Sequence, residues 1–178
     1  MDFFTLSETR QSCRNYDTRP VELEKLARCI QAARLAPSAC NSQPWHFTVV
    51  TRPDLAKQVA KLVQGAGFNR FAERCPAFIA VTEEAANLSA RLGGLVKRQE
   101  YAQIDIGLAT AHLCFAAAEQ GLSTCIMGWF QEKAIKKLLG IPANKRLRLV
   151  VAVGYAAPDD PLRPKTRKPI EQIATYLK

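Results

Sequence analysis

The sequence lacks the cysteine spacings that are typical of metal centres and redox couples. None of its six cysteines forms a C-x-x-C pair, so neither a zinc knuckle nor a thioredoxin-type couple is indicated. Cys29, Cys114 and Cys125 stand among apolar residues, where a free cysteine commonly behaves as a small buried hydrophobe. We therefore predict no metal site and reduced thiols, which agrees with a cytoplasmic protein.

The sequence predicts neither a membrane-spanning segment nor a secretory leader. The longest apolar run without charge, Ile106–Ala118, is shorter than the roughly 20 residues that a membrane-spanning helix needs. The first residues, Met1–Glu8, contain no basic segment followed by an apolar one. We expect no membrane partner from these features.

Negative charge is scarce relative to positive charge. The chain has 25 Lys and Arg against 16 Asp and Glu, a formal net charge of +9. Such an excess concentrates anions of every kind, from nucleic acid to phosphate-bearing cofactors, without choosing among them. The basic residues are spread over the chain, and none of them forms a basic recognition helix or an RNA-binding sheet motif. A nucleic-acid partner is therefore not expected.

The chain of 178 residues has the length of one domain, and no linker interrupts it. Helical spacing of apolar residues predicts helices, and short runs of β-branched or aromatic residues predict strands. The predicted helices are Val21–Ala36, Pro53–Val63, Ile104–Gln120 and Glu132–Leu139. The predicted strands are Trp45–Thr51, Ala77–Thr82, Ser123–Trp129 and Leu147–Tyr155. This alternation predicts a single α+β domain, residues 1–178, with helices packed on a central sheet.

The helix predicted at Ile104–Gln120 is apolar on nearly all sides. A helix of this kind must be covered on every face. In a chain of this size the cover comes either from the centre of the domain or from a second subunit. A two-fold interface would provide it, and a helix central to a monomeric core is the alternative.

Two short cationic segments lie near opposite ends of the chain. If residues 10–14 are extended, Arg10, Ser12 and Arg14 share one face at intervals of about 6.6 Å, which suits a phosphate and an attached polar chain. In a helix, Ser12 would face away from the two arginines. Lys165 and Arg167 follow a proline-rich segment that also favours an extended backbone. The two segments could converge on one phosphate, or both could be solvated basic arms.

The loop between the first predicted helix and the first predicted strand, Ala36–Trp45, is rich in turn-forming residues. Its sequence, A-P-S-A-C-N-S-Q-P-W, combines proline, serine and asparagine. It could be a plain connection. A few placed polar groups beside an apolar pocket are also what a flat heteroaromatic ring requires.

Four motifs together resemble the nitroreductase family of FMN-dependent flavoproteins, in the same order and over nearly the whole chain. They are R-x-S-x-R at 10–14, P-S-x-x-N-x-Q-P-W at 37–45, an apolar helix followed by G-L-S-T-C at 121–125, and K-x-R at 165–167. The resemblance implies a central, mostly antiparallel sheet flanked by helices. It also implies an intertwined homodimer with FMN at the interface, contacted by both chains.

The resemblance assigns twelve residues to the flavin. They are Arg10, Ser12 and Arg14 for the phosphate, ribityl chain and pyrimidine edge, Lys165 and Arg167 for the phosphate, Pro37, Ser38, Ala39 and Asn41 from the partner chain, Asn69 for the ring, and Met127 and Gly128 for the backbone beside flavin N5.

The sequence departs from the family pattern in three places. Phe71 and Ala72 stand where better-studied members have a lysine, which leaves Arg14 as the cation near the N1 and O2 edge of the ring. Met127 replaces an acidic residue of the larger branch. The segment Glu83–Tyr101 is too short for the excursion that roofs the substrate site in larger members, so the acceptor is left open.

The resemblance implies an NADH- or NADPH-dependent oxidoreductase that reduces a small acceptor, such as a nitroaromatic or a quinone, by a ping-pong mechanism. The flavin carries the chemistry, so no catalytic side chain is assigned. His46, in a strand, and His112, on the buried helix, are interpreted as structural. Alternatives within the superfamily are dehydrogenation, dehalogenation and flavin breakdown. Outside it stand a flavin-holding protein without turnover and a non-enzymatic basic binding module.

Overall fold

The computed structural model describes residues 1–65 and 67–177. Its centre is a four-stranded sheet in the order β1-β2-β4-β3, in which every pair of neighbouring strands is antiparallel. The strands are β1 (Trp45–Val50), β2 (Ala77–Glu83), β3 (Ser123–Met127) and β4 (Arg146–Gly154). The predicted α+β fold with a central antiparallel sheet is confirmed.

Six α-helices surround the sheet in the described part of the chain. They are α1 (Phe3–Thr9), α2 (Leu23–Arg34), α3 (Pro53–Leu62), α4 (Leu88–Lys97), α5 (Tyr101–Glu119) and α6 (Glu132–Leu139). The four predicted helices are all present, with ends shifted by up to three residues. α1 and α4 were not predicted from the sequence, and α4 occupies the segment that was expected to be trimmed.

The core lies on both faces of the sheet, because alternate residues of each strand point to opposite sides. Ile79 and Val81 of β2 join the layer formed by α2 and α5. Phe78 and Ala80 join the layer formed by α3 and α6. The cysteines predicted to be buried, 29, 114 and 125, are all buried in these layers.

Helix α5 is covered by the sheet and α2 on one side, and its opposite side is covered by the described residues only in part, where Phe3 of α1 packs on Phe115. Ile106, Ala109 and Leu113 are buried against the sheet and α2, whereas Ile104 is 47% exposed and Leu108 39% exposed on the opposite side. The alternative of a helix central to a monomeric core is therefore wrong, and an apolar strip stays open. His112 lies on this exposed side, so its predicted burial is wrong too. No helix among the described residues has the length and apolar character to cross a membrane.

The segment that follows α1 runs along the β3 edge of the sheet. Cys13 N donates to Thr124 O at 2.9 Å, and Ser12 forms a parallel bridge with Thr124. The Tyr16 ring is fully buried beside Gly154, where an added Cβ would lie only 2.9 Å from Tyr16 Cδ1. This close packing fixes the segment against the sheet.

Candidate functional site

Residues 10–14 are extended, as predicted, and the helical alternative is wrong. Because the bridge between Ser12 and Thr124 is parallel, the segment runs in the direction of β3. Arg10 therefore lies toward the start of β3 and Arg14 toward its end. Between Thr124 and the last residue of β3, Met127, the strand advances about 10 Å. The three polar side chains are thus spread along one edge of the sheet.

The structure brings both cationic segments together. Lys165 Nζ donates to Arg10 O at 2.5 Å, and Arg163 Nη2 donates to Ser12 O at 2.7 Å. Gln11 links the same two segments, since its Oε1 accepts from Arg163 N at 3.0 Å and its Nε2 donates to Pro161 O at 3.1 Å. A cavity of about 210 Å³ lies between the segments, lined by Arg10, Gln11, Ser12, Arg14, Arg163, Pro164, Lys165 and Arg167.

This cavity is strongly electropositive. Desolvation, followed by the charges of Arg167 and Arg10, lowers the pKa of Lys165 below its usual value. Arg163 is paired with Asp160 at 3.0 Å. Among the residues that the structure describes, the buried Nε of Arg10 has no hydrogen-bond partner. A phosphate, whose several oxygens accept charge-assisted hydrogen bonds, fits this set of donors.

A second group of predicted residues gathers past the end of β3. The Nδ2 of Asn69 donates to Val63 O at 2.9 Å and to Trp129 O at 3.0 Å. Asn69 therefore fastens the segment after α3 to the segment after β3, and only its Oδ1 can accept from a ligand. The Met127 side chain is buried in the core, so only its backbone can face the site. Gly128 is exposed beside it.

Two aromatic residues that the sequence reasoning did not single out lie at the same place. Phe68 and Trp129 are 59% and 60% exposed, and their ring centroids are 5.8 Å apart at an interplanar angle of 50°. They are chain neighbours of Asn69 and Gly128. Their adjacency to two residues that the resemblance assigns to the flavin was the available signal.

Among the described residues, those that line the cationic cavity do not include the loop residues Pro37, Ser38, Ala39 and Asn41. The loop contacts the beginning of α5, where Ala39 N donates to the Asp105 carboxylate. Near the other end of the helix, Ala118 lines a cavity of about 200 Å³ together with Arg10 and Thr124. Ala118 follows Asp105 by thirteen residues, which is about 20 Å along the helix.

The chain belongs to the nitroreductase family: the family's profile matches residues 8–155. It is similar to a protein of Archaeoglobus fulgidus with the provisional name NADH dehydrogenase/NAD(P)H nitroreductase. The two are 32% identical over 151 residues, which cover 83% of this chain and 81% of that protein. Identity to the iodotyrosine deiodinase of Nematostella vectensis is 24% over 196 residues, or 97% of this chain and 74% of the other.

The fold is also that of a provisionally named nitroreductase from Exiguobacterium sibiricum 255-15, whose structure is a complex with FMN. That structure has a TM-score of 0.80 and 24% identity, over 99% of this chain and 98% of the other. The predicted family and fold are thereby confirmed.

Proposed function

We propose that this chain, a single domain over residues 1–178, is an FMN-dependent oxidoreductase that passes hydride from NADH or NADPH to a small acceptor by a ping-pong mechanism. The observation that carries the proposal is the contact between the two cationic segments, in which Lys165 reaches Arg10. The site lies at one edge of an antiparallel sheet in a nitroreductase-family chain.

The cationic cavity would hold the FMN phosphate. Arg10 would offer its Nε, which has no hydrogen-bond partner among the described residues, and no acidic residue is among those described that line the cavity with Lys165 and Arg167. The Ser12 hydroxyl, further along the β3 edge, would hold the polar ribityl chain. Arg14, which is exposed toward the end of β3, would stabilise negative charge on the ring, since a fixed cation acts best where charge develops. Bound FMN would supply the hydride-transferring ring.

The ring itself would lie past the end of β3. Asn69 could accept a hydrogen bond there through Oδ1, and the backbone at Met127 and Gly128 would face the same space. These groups orient a ligand without proton transfer. The protein's part is therefore position and electrostatics, and no acid–base residue is required.

A homodimer would complete the site. The loop at 37–41 contacts the beginning of α5, whereas Arg10 lies near Ala118, about 20 Å further along the helix, so a second chain would bring the loop to the flavin. A two-fold axis through the middle of the open α5 strip would bring the loop of one chain to the cavity of the other. The same packing would cover Ile104 and Leu108, which are exposed in the single chain.

The aromatic pair favours a planar acceptor. Phe68 and Trp129 are exposed next to the backbone that would face the ring. Aromatic faces stack favourably on flat aromatic molecules. Nitroaromatics and quinones have this shape, and so does the nicotinamide that would deliver hydride to the same site.

Replacing Trp129 by alanine is expected to raise the KM for a nitroaromatic about two- to tenfold while kcat changes little, because one stacking contact is lost. Steady-state kinetics with NADPH would measure both constants. Trp129→Phe keeps a ring and should stay close to the wild type. The hydrogen bond from Asn69 is accepted by the backbone oxygen of Trp129, so the alanine variant retains it. An unchanged KM in Trp129→Ala would remove this residue from the acceptor site.

A second candidate reaction is reductive dehalogenation at the same flavin. It is favoured by the likeness to an iodotyrosine deiodinase over 97% of the chain. Halogenated phenols are also planar aromatics, so the Phe68 and Trp129 pair would suit either reaction. Parallel turnover assays with a nitroaromatic, a quinone and an iodinated phenol would rank the acceptors.

The proposal is tested by purifying the protein and recording its visible spectrum. We expect a yellow protein with flavin absorption, bleached by NADH or NADPH and restored by the acceptor. A colourless protein that takes up no FMN and binds nucleic acid, with an affinity that falls steeply as salt rises, would support the basic binding module instead. Slow bleaching by both nicotinamides would support a flavin-holding protein without turnover.

A further inference from the structure

The loop at 38–43 holds an unfavourable backbone. Cys40, Asn41 and Gln43 have φ angles of 50°, 51° and 47°, in the left-handed region that L-residues usually avoid. Only asparagine among the three residue types tolerates this region readily. Such a conformation persists only where surrounding contacts enforce it, and it is found preferentially at binding sites.

The deepest of these contacts comes from helix α5. Asp105 is only 4% exposed, and its Oδ1 and Oδ2 both accept from Ala39 N, at 3.2 Å and 3.1 Å. Ala39 begins the short 3-10 turn of the loop, and the residue before it, Ser38, makes no side-chain cap bond to that turn. Asp105 therefore caps the turn from 66 residues away.

Two further hydrogen bonds that hold the loop involve more exposed residues. Gln43 N donates to Ser38 Oγ at 2.9 Å, and Asn87 Nδ2 donates to Cys40 O at 2.9 Å. Gln43 and Asn87 are both exposed residues, whereas Asp105 is buried. A charged acceptor inside the protein makes a stronger bond than these neutral ones.

We propose that Asp105 is a positioning residue for flavin binding: from the rigid helix α5 it holds the left-handed loop in the shape that receives the partner chain's flavin. This inference rests on the proposed function. Asp105 would not contact the flavin, since its carboxylate is buried behind the loop and faces the Ala39 backbone. It would act through Ser38, Ala39 and Asn41.

The chain contains a reporter of the loop's shape. Cys40 is exposed within it, whereas the other five cysteines are buried. Burial raises the pKa of Cys13 and Cys29 to about 11 and that of Cys75 to about 12, so these thiols are unreactive at neutral pH. A thiol reagent applied to the folded protein should therefore read the accessibility of Cys40.

The test compares Asp105→Ala and Asp105→Asn with Thr110→Val. Thr110 is also buried on α5, but among the described residues its hydroxyl bonds only within the helix, to Ile106 O at 2.7 Å. We expect Asp105→Ala to weaken FMN affinity about tenfold or more and to speed Cys40 modification of the FMN-free protein several-fold. Asp105→Asn keeps an acceptor oxygen and should fall between it and the wild type. Thr110→Val should match the wild type in both measurements.

Wild-type FMN affinity and an unchanged Cys40 rate in Asp105→Ala would overturn the inference. So would a faster Cys40 rate with wild-type FMN affinity, because the loop would then move without consequence for the flavin. If Asp105→Ala does not fold, Asp105→Asn decides by the same two readouts. A wild type that binds no FMN would refute the proposed function instead, and the two failures are thereby distinguishable.

Discussion

Replacing Arg10 by alanine is expected to strip FMN from the protein, lowering its affinity about 10- to 100-fold. Arg10 lies where the two cationic segments meet, and its buried Nε has no hydrogen-bond partner among the described residues. A charge-assisted bond to phosphate contributes about 1.5–3 kcal/mol, and each 1.4 kcal/mol is a factor of ten in affinity. Lys165 bonds to the Arg10 backbone, so the substitution leaves that link in place.

Quenching of FMN fluorescence on titration with the flavin-free variant would measure the loss. Arg167→Ala should show a smaller loss in the same direction, because Arg167 is exposed at the rim of the cavity. Arg52→Ala is the matched control. It removes the same charge from the start of α3, where the one ion pair of Arg52 with a described residue is that to the exposed Asp54. Equal FMN affinity in Arg10→Ala and Arg52→Ala would take Arg10 out of the site.

Placing a charge on the open strip of α5 is expected to separate the proposed dimer and remove FMN at the same time. Leu108 is 39% exposed in the single chain, on the strip where the two helices would meet. In a two-fold interface one substitution appears twice. Leu108→Glu would bury two unpaired carboxylates and make the free energy of association less favourable by several kcal/mol. The dissociation constant of the dimer would then rise at least about 100-fold.

Sedimentation or native mass spectrometry would follow the subunit count alongside bound FMN. Leu108→Ala should weaken the dimer less, because it adds no charge. Gln58→Glu adds the same charge to an exposed position of α3, on the other face of the sheet, and should leave both readouts unchanged. A fully dimeric, FMN-loaded Leu108→Glu protein would show that α5 does not form the interface.

The elements that the sequence predicted are those with strong local signals. Helix α6 was predicted at its observed bounds, because Gly140 ends it with a φ of 67° that suits glycine. Helix α4 was not predicted because Gly93 and Gly94 interrupt the helical spacing of its apolar residues. Gly94 is needed there, since an added Cβ would lie 2.7 Å from Gln99 O. Helix α1 has only seven residues and leaves Phe4 81% exposed, so it gives little amphipathic signal.

In the candidate site, too, the features set by local sequence could be predicted, and those set by distant contacts could not. The extended form of residues 10–14 follows from side-chain alternation, a local property. The meeting of Arg10 with Lys165 depends on the path of the whole chain, which spacing leaves open. Asp105 and Arg163 bond to backbone atoms far away in sequence, and no motif marks such contacts. The two hydrogen bonds that Asn69 Nδ2 donates to backbone oxygens could not be predicted for the same reason.

The shared site is tested most directly by mixing two defective variants, Arg10→Ala and Asn41→Ala, each of which should bind FMN poorly as a homodimer. If each flavin takes Arg10 from one chain and Asn41 from the other, a mixed dimer has one site with both substitutions and one site with neither. Native mass spectrometry should then find one tightly bound FMN per mixed dimer. If both residues served a flavin within one chain, every site would carry a substitution, and mixed dimers without tightly bound FMN would contradict the account.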